Sequence, residues 1–476
     1  MSENTQEDKS LEKEKAKVDE KEKTKEKEKE KEKKKSKSNL KIIEWRFNQL
    51  LGEKLTYEQI KEDPENESYL VTDIKFSNDG QNVVVADKGG RVIIFKRIKE
   101  KEKTPKLIYY YEYSAQEHDF DSHKSIEYSE EIKGLQILPS SNYKKLNILT
   151  AGYRIIKLDR IYEDIIPEFD TNSEIPKFTS SKKEIRAKNK KQFCNYNNSE
   201  DINSLSLNPD NPNNFISSDE SRVYLWDINR SEKDLYTPVD IEPKEDNIYP
   251  EKITKSTYMN YNPHIFIYGT NKGNTNVCDL RTSSDRLKFE ASYKDIKSDM
   301  TSLVSNSILC IHDICSSLNN KYSFATRNYL SINLWDIRKQ DEPHSKIVLY
   351  EPIINNLSYL YKNNYINDKF SLSSDNSGQF LLTGGYNNMF HVIDTEQRLN
   401  TQIIIDDSDD KLMNTNVIRK INSKGSCFYK KDDIHSSNIN FSKKIQHQAF
   451  SPIENYSLMI VYNCIYSYSG NLAKKK

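Results

Sequence analysis

From residue 40 onward the apolar side chains come in short runs that alternate with polar ones, and Gly, Asn, Asp or Ser clusters separate the runs. That period of two predicts half-buried strands, and the apolar stripes of long helices are absent. One kind of segment recurs: a turn, then alternating hydrophobics, then an aromatic or apolar residue often followed by Asp. It reads GGRVIIFKR (89–97), YRIIKLDRI (153–161), SRVYLWDI (221–228), GNTNVCDLR (273–281), LSINLWDIR (330–338), NNMFHVID (387–394) and NCIYSYS (463–469). A second apolar run precedes each, at Val83–Ala86, Asn147–Ala151, Phe215–Ser218, Ile265–Tyr268, Tyr322–Thr326, Phe380–Thr383 and Leu458–Tyr462. The pattern predicts paired strands of one unit, the recurring segment closing it.

Seven copies of one strand ending suit a repeat architecture, whereas a β-sandwich or two smaller β domains would not need them. The expectation is an all-β, seven-bladed WD-repeat β-propeller over residues 42–472, in which few strand edges are left open. Its sharpest marks are Trp226-Asp227 and Trp335-Asp336, each Trp packing between neighbouring sheets and each Asp standing where the chain leaves the strand. Lys88-Gly89-Gly90, Asn271-Lys272-Gly273-Asn274 and Asn387-Asn388 supply residues that tolerate positive φ between strands. At about 62 residues per blade the repeats exceed a minimal WD blade, so the surplus falls in loops or extra hairpins, where binding tends to reside.

Composition changes the picture at one end. Of 476 residues, 35% are hydrophobic and 30% charged, with 72 basic against 72 acidic. Residues 1–38 carry 14 lysines and 12 acidic side chains, including the run KEKEKEKE at 25–32. Strict alternation sets like charges at i and i+4, so a helix gains little there, and residues 1–39 are expected to be a disordered, solvated tail. The remainder keeps 58 of the 72 basic and 60 of the 72 acidic residues. Such neutrality argues against a nucleic-acid binder, and no stretch approaches eighteen apolar residues, so no membrane partner is expected. Without an apolar leader, a cytoplasmic chain is expected, with the nucleus as a second compartment. Cys194, Cys278, Cys310, Cys315, Cys427 and Cys464 have no metal-ligand spacing and are read as free thiols.

Catalytic signatures are missing as well. There is no GxxxxGK phosphate loop, HExxH, GxSxG or EF-hand pattern. His118 and His123 flank Asp119 and Asp121, which reads as a solvated acidic loop rather than a metal cluster. No enzyme activity, metal or cofactor is expected.

Certain strings are more specific than the repeat. VVADKGGRVIIFKR (84–97), DFDSHKSIE (119–127), NVCDLR (276–281), TRNYLSINLWD (326–336), YKNNYINDKF (361–370) and TGGYNNMFHVID (383–394) together resemble the 55-kDa regulatory B subunit of serine/threonine protein phosphatase 2A. Trp45, Phe47 and Gln49 fit its start, and INSLSLN (202–208), VDIEP (239–243) and NFSKKIQHQA (440–449) its middle and end. The resemblance runs in order over about residues 42–470. It implies a non-catalytic propeller that joins a HEAT-repeat scaffold A subunit and a catalytic C subunit in a heterotrimer. It also implies a projecting β-hairpin arm, within residues 107–135, that grips the scaffold; the matching residues are Phe120, Asp121, Lys124, Ser125, Glu127 and Glu130. An acidic propeller face would collect phosphoprotein substrates with basic flanks, through Asp219, Glu220, Asp87, Lys88, Asn328 and Tyr329 in turns that a ring brings to one rim. Two departures stand out: Asp159 where the family has Trp, so the second blade must pack differently, and Glu200-Asp201 where it has Tyr-His, making the rim more acidic. The alternative reading is a WD-repeat interaction scaffold that engages no phosphatase.

Overall fold

In the computed structural model, the described residues are 43–52, 54–98, 104–115, 118–121, 126–129, 131–140, 145–153, 155–162, 188–194, 201–230, 236–242, 250–281, 307–339, 343–349, 357–405, 415–420 and 439–472. The expected tail at 1–39 lies outside them. The chain divides into two compact units, Met1–Glu44 with Asn471–Lys476, and Trp45–Gly470. The first contributes only the ends of two strands to the described residues; the second holds the repeats.

The repeats form a seven-bladed β-propeller of antiparallel sheets. Blade 1 is Val71–Phe76, Asn82–Asp87, Arg91–Ile98 and Lys106–Ser114; blade 2 is Gly134–Leu138, Lys145–Ala151, Ile155–Tyr162 and Lys188–Cys194. Blade 3 is Ser204–Leu207, Asn214–Ser218, Arg222–Asp227 and Tyr236–Asp240, and blade 4 has three described strands, Ile253–Met259, Asn262–Thr270 and Thr275–Asp279. Blade 5 is Asp313–Cys315, Ser323–Arg327, Ser331–Asp336 and Ser345–Val348. Blade 6 has five strands, Leu372–Ser374, Phe380–Gly384, Met389–Asp394, Leu399–Ile404 and Thr415–Lys420. Blade 7 is Gln448–Phe450, Tyr456–Val461 and Cys464–Leu472, completed on its outer edge by Ile43–Leu51 from the other end of the chain. A separate two-stranded sheet, His118–Asp121 with Ile126–Ser129, lies in sequence between blades 1 and 2.

All seven recurring segments are the third strand of their blade, and the preceding runs are the second strand. The segment therefore does not close the blade; a further, outer strand lies beyond it in every blade except blade 4, where none is described. Alternation also holds less well than expected. Second strands are sandwiched between two neighbouring blades, so Asn82–Asp87 and Tyr456–Val461 are buried almost throughout, while the outer strand Tyr236–Asp240 is largely exposed. A strand buried on both faces reads as a continuous apolar run, which is what VVVA and LMIV are.

Packing between blades supplies the core. Trp226 stacks on its cross-strand partner Phe215, with ring centroids 5.9 Å apart, and lies among Leu138, Leu149 and Leu158 of blade 2. Trp335 stacks likewise on Phe324 at 6.3 Å, against Met259, Ile267 and Val277 of blade 4. Each indole N–H is satisfied from the second strand, by Ser217 Oγ and by Thr326 Oγ1, both at 2.8 Å. The Asp that follows builds the next turn: Asp227 accepts from the Asn229 N–H and Asp336 from the Arg338 N–H. Blade 2 departs as anticipated. Asp159 stands at the indole position and is fully buried beside the phenols of Tyr111 and Tyr113 from blade 1. Burial and the Asp159 charge push Tyr111 up to about 12 and Tyr113 well above its ordinary range.

Replacing Trp335 with Ala removes a fully buried indole and strands the Thr326 hydroxyl. The expected loss is about 3–5 kcal/mol, read as a shift of the denaturant midpoint, and an unchanged midpoint would contradict the interblade placement.

Candidate functional site

The turn between second and third strands must reverse the chain within a few residues, and Asp and Asn do this by accepting backbone N–H bonds from residues just ahead. Blade 1 uses Asp87, whose carboxylate accepts from the Arg91 N–H at 2.9 Å and from Arg91 Nε at 2.8 Å. Blade 3 uses Asp219, accepting from the N–H groups of Ser221 (2.8 Å) and Arg222 (2.6 Å) and from the Tyr224 hydroxyl (3.2 Å). Blade 5 uses Asn328, accepting from Leu330 (3.1 Å) and Ser331 (2.7 Å). Thr270 does the same in blade 4, its hydroxyl accepting from the Asn274 N–H.

These turns share one end of the propeller, because the first strands run side by side in parallel. Ser204 Oγ accepts from the Ser256 N–H and, two residues on, Ser206 Oγ accepts from the Tyr258 N–H. The chain entering each first strand leans on the turns: Lys88 and Gly89 donate to Leu70 and Ser68, and Ile253 to Glu220.

The six rim candidates therefore meet different fates. Asp87, Asp219 and Asn328 are buried turn-builders. Tyr329 is fully buried, its hydroxyl 2.8 Å from that of Tyr386 and part of an aromatic cluster with Phe370. Only Glu220 and Lys88 reach solvent. Burial is the main cause that pushes Asp87 up to about 6, against the opposing pull of Arg91, and that raises Asp219.

Several carboxylates of the described rim are paired with cations. Glu220 pairs with Lys252, Lys88 with Glu67, Arg222 with Asp240 and Glu242, and Lys444 with Asp368 at 2.5 Å. Asp201, which in sequence adds acid to the rim, is paired with Lys133; Glu200 lies outside the described residues. Exposed pairs of this kind add little stability, but they cancel the field a cluster of free acids would project. Sequence reading missed Lys252, Glu67 and Lys133, since nothing in a string marks which lysine faces which acid across fifty residues.

In the hairpin, Phe120 pairs with Glu127 and Asp121 with Ile126 across an antiparallel register. Lys124, Ser125, Glu130 and His123 lie outside the described residues. Among the described residues no three His, Cys, Asp or Glu side chains are grouped to hold a metal, and no helix is long and apolar enough to cross a membrane.

No family model matches the chain. Among curated proteins it is similar to the serine/threonine-protein phosphatase 2A regulatory subunit phr2AB of Dictyostelium discoideum, at 28% identity over 490 aligned residues, covering 90% of this chain and 98% of that one. The resemblance read in the sequence is borne out by that near-complete overlap. Among solved structures, Raptor from Chaetomium thermophilum aligns with a TM-score of 0.48 and 12% identity over 90% of this chain and 30% of that one, too loose a likeness to argue from.

The raised carboxyl of Asp87 has a measurable signature. Its value rises from the ordinary 3.8 in the unfolded chain to about 6 when folded. The folded state thus takes up the proton first, and Asp87's contribution to stability is fully present below about 4 and lost as pH rises through about 6. Asp87→Asn keeps the turn, as Asn328 shows in blade 5, and abolishes this dependence. The stability difference between wild type and Asp87→Asn is expected to change by about 2 kcal/mol between pH 4 and 6, in urea melts at both values; a flat difference would mean that Asp87 titrates normally.

Proposed function

We propose that the chain is the non-catalytic regulatory B subunit of a protein phosphatase 2A heterotrimer, selecting phospho-Ser/Thr substrates and placing them at a separate catalytic subunit. The observation that carries this reading is the similarity to phr2AB over 98% of that protein's length. Two features of the fold support it. A two-stranded hairpin interrupts the chain between blades 1 and 2, at the residues matched to the scaffold-gripping arm. And the turns of the propeller converge on one rim, so that contacts distant in sequence can read one peptide.

The catalytic C subunit would carry the metals and the hydrolysis. This chain would contribute tethering: docking a substrate on the propeller raises the effective concentration of its phosphosite at the catalytic centre. Contact with basic flanks is assigned to the rim, where Glu220 and Lys88 are exposed and Asp219, Asp87, Asn328 and Tyr329 hold the turns that present them. Since Glu220 is held by Lys252, an arriving Lys or Arg exchanges with that lysine, which favours register and encounter over raw affinity. Attachment to the HEAT-repeat scaffold A subunit is assigned to Phe120, Asp121, Lys124, Ser125, Glu127 and Glu130.

The two surfaces separate experimentally. Affinity purification of the tagged chain should bring down a HEAT-repeat scaffold and a phosphatase catalytic chain, and their absence would defeat the reading. Reversing Asp121, Lys124 and Glu127 together should abolish that copurification. Glu220→Lys should leave assembly intact and slow dephosphorylation of basic-flanked phosphopeptides severalfold; equal effects from both sets would mean the surfaces are wrongly assigned.

A further inference from the structure

The turn between the second and third strands of blade 7 departs from the rule that blades 1, 4 and 6 follow. Left-handed backbone at this turn is carried by Gly90 in blade 1 (φ 79°), Gly273 in blade 4 (φ 84°) and Asn388 in blade 6 (φ 49°), residues for which it is tolerable. Blade 7 places Tyr462 there, at φ 57°. A bulky side chain in this region is strained and persists only when its surroundings hold it. Here the Tyr462 hydroxyl donates to the Ser442 carbonyl, and its ring lies 6.5 Å from that of Tyr57.

Those two rings border a cleft of about 530 Å³ between the segment 54–58, the segment 440–443 and blade 7. That volume falls within the range of sites that hold small ligands or peptide side chains. The inner end is buried and includes Tyr466, while the mouth is exposed and carries Lys54, Lys443 and Glu58. In contrast to the lysines of the rim, neither Lys54 nor Lys443 is in an ion pair with another described residue. Two lysines against one glutamate leave the lining with a net charge of +1.

We propose that this cleft is a docking site for a short acidic peptide segment of a partner protein, which sets one Asp or Glu carboxylate between Lys54 and Lys443 and an adjacent apolar side chain against Tyr57, Tyr462 and the buried floor. The charge decides the class. A single carboxylate neutralises a described lining of +1, whereas a phosphate dianion overshoots it and meets Glu58, and no arginine is among the described lining residues to hold one. A basic peptide is repelled by both lysines. The strained turn is accounted for because it is what holds a phenol across the cleft wall. The site is independent of the phosphatase reading, as it needs only this chain.

The test uses the full-length chain alone. A phage-displayed heptapeptide library is panned against it, and enriched peptides are titrated by fluorescence anisotropy. The expected consensus is one Asp or Glu beside an aliphatic or aromatic residue, with phosphoserine at the acidic position binding more weakly. Lys54→Glu with Lys443→Glu should weaken binding at least tenfold, and Lys321→Glu, a charge change outside the cleft, should not alter it. Tyr462→Asn relieves the backbone, so it should lose affinity about tenfold while the melting temperature holds or rises, separating a role in binding from one in folding. Absence of enrichment, a basic or uncharged consensus, tighter binding of the phosphoserine peptide, or indifference to the paired lysine reversal would each overturn the proposal.

Discussion

A ring of sheets is stable only if its last sheet is joined to its first, and here the join is made by exchanging strands between the two ends of the chain. Blade 7 takes three strands from the C-terminal side and its outer strand, Ile43–Leu51, from the N-terminal side. Within that strand Gln49 does double work. Its carbonyl accepts from Ser467 of blade 7, while its carboxamide both donates to the Leu107 carbonyl (3.0 Å) and accepts from the Leu107 N–H (2.9 Å) on the outer strand of blade 1. Behind this clasp lies the apolar contact of Val83, Val85 and Phe95 with Tyr456, Leu458 and Ile465. At about 1.5–3 kcal/mol for each fully buried side chain of this size, opening the ring at this seam would expose more than a small domain's whole margin of stability.

The same constraint shapes the axis. First strands of neighbouring blades stand parallel but belong to different sheets, so their inward backbone groups need partners other than a ladder. Side chains provide them. Asp73 accepts from the Leu135 N–H, Ser204 from Ser256, Asp313 from Leu372, and Thr254 donates to the Ile311 carbonyl. Lys255 sits across from Asp313 at 3.3 Å, and the two acids Asp313 and Asp73 together raise it against the opposing pull of its burial. Polar residues in strands that otherwise read as core are therefore stitching between blades, and they make the seven sheets one body.

This division explains what was legible in the sequence. The third strands were readable because the turn, the alternating run and the Trp-Asp or its substitutes recur in one stretch of chain, and their seven copies gave the architecture. The fourth-strand exchange in blade 7 was not readable, since no local pattern links Gln49 to Ser467 or Leu107. The site residues are instructive in another way. Asp87, Asp219 and Asn328 lie in equivalent turns and share a side-chain acceptor, which in a string looks like a row of surface ligands. The structure turns those acceptors inward on the backbone of their own turns, and sends Tyr329 into the aromatic cluster with Tyr386. Glu220, next to the inward-turned Asp219, reaches solvent and pairs with Lys252.

Pairing of the remaining charges completes the logic of a neutral protein. Glu67, Asp201 and Glu220 are each paired with a lysine from another connection, which weakens the field these acids project. A partner is then recognised at contact distance, by whichever of its charges can replace a lysine or a carboxylate already in place. Such exchange is nearly isoenergetic pair by pair, so discrimination must come from geometry: the spacing of Glu67, Asp201 and Glu220 around the ring, fixed by rigid turns, and not their number. Rigid turns in turn need buried acceptors, which is why the acids that look most available in the sequence are the ones the fold could not leave exposed.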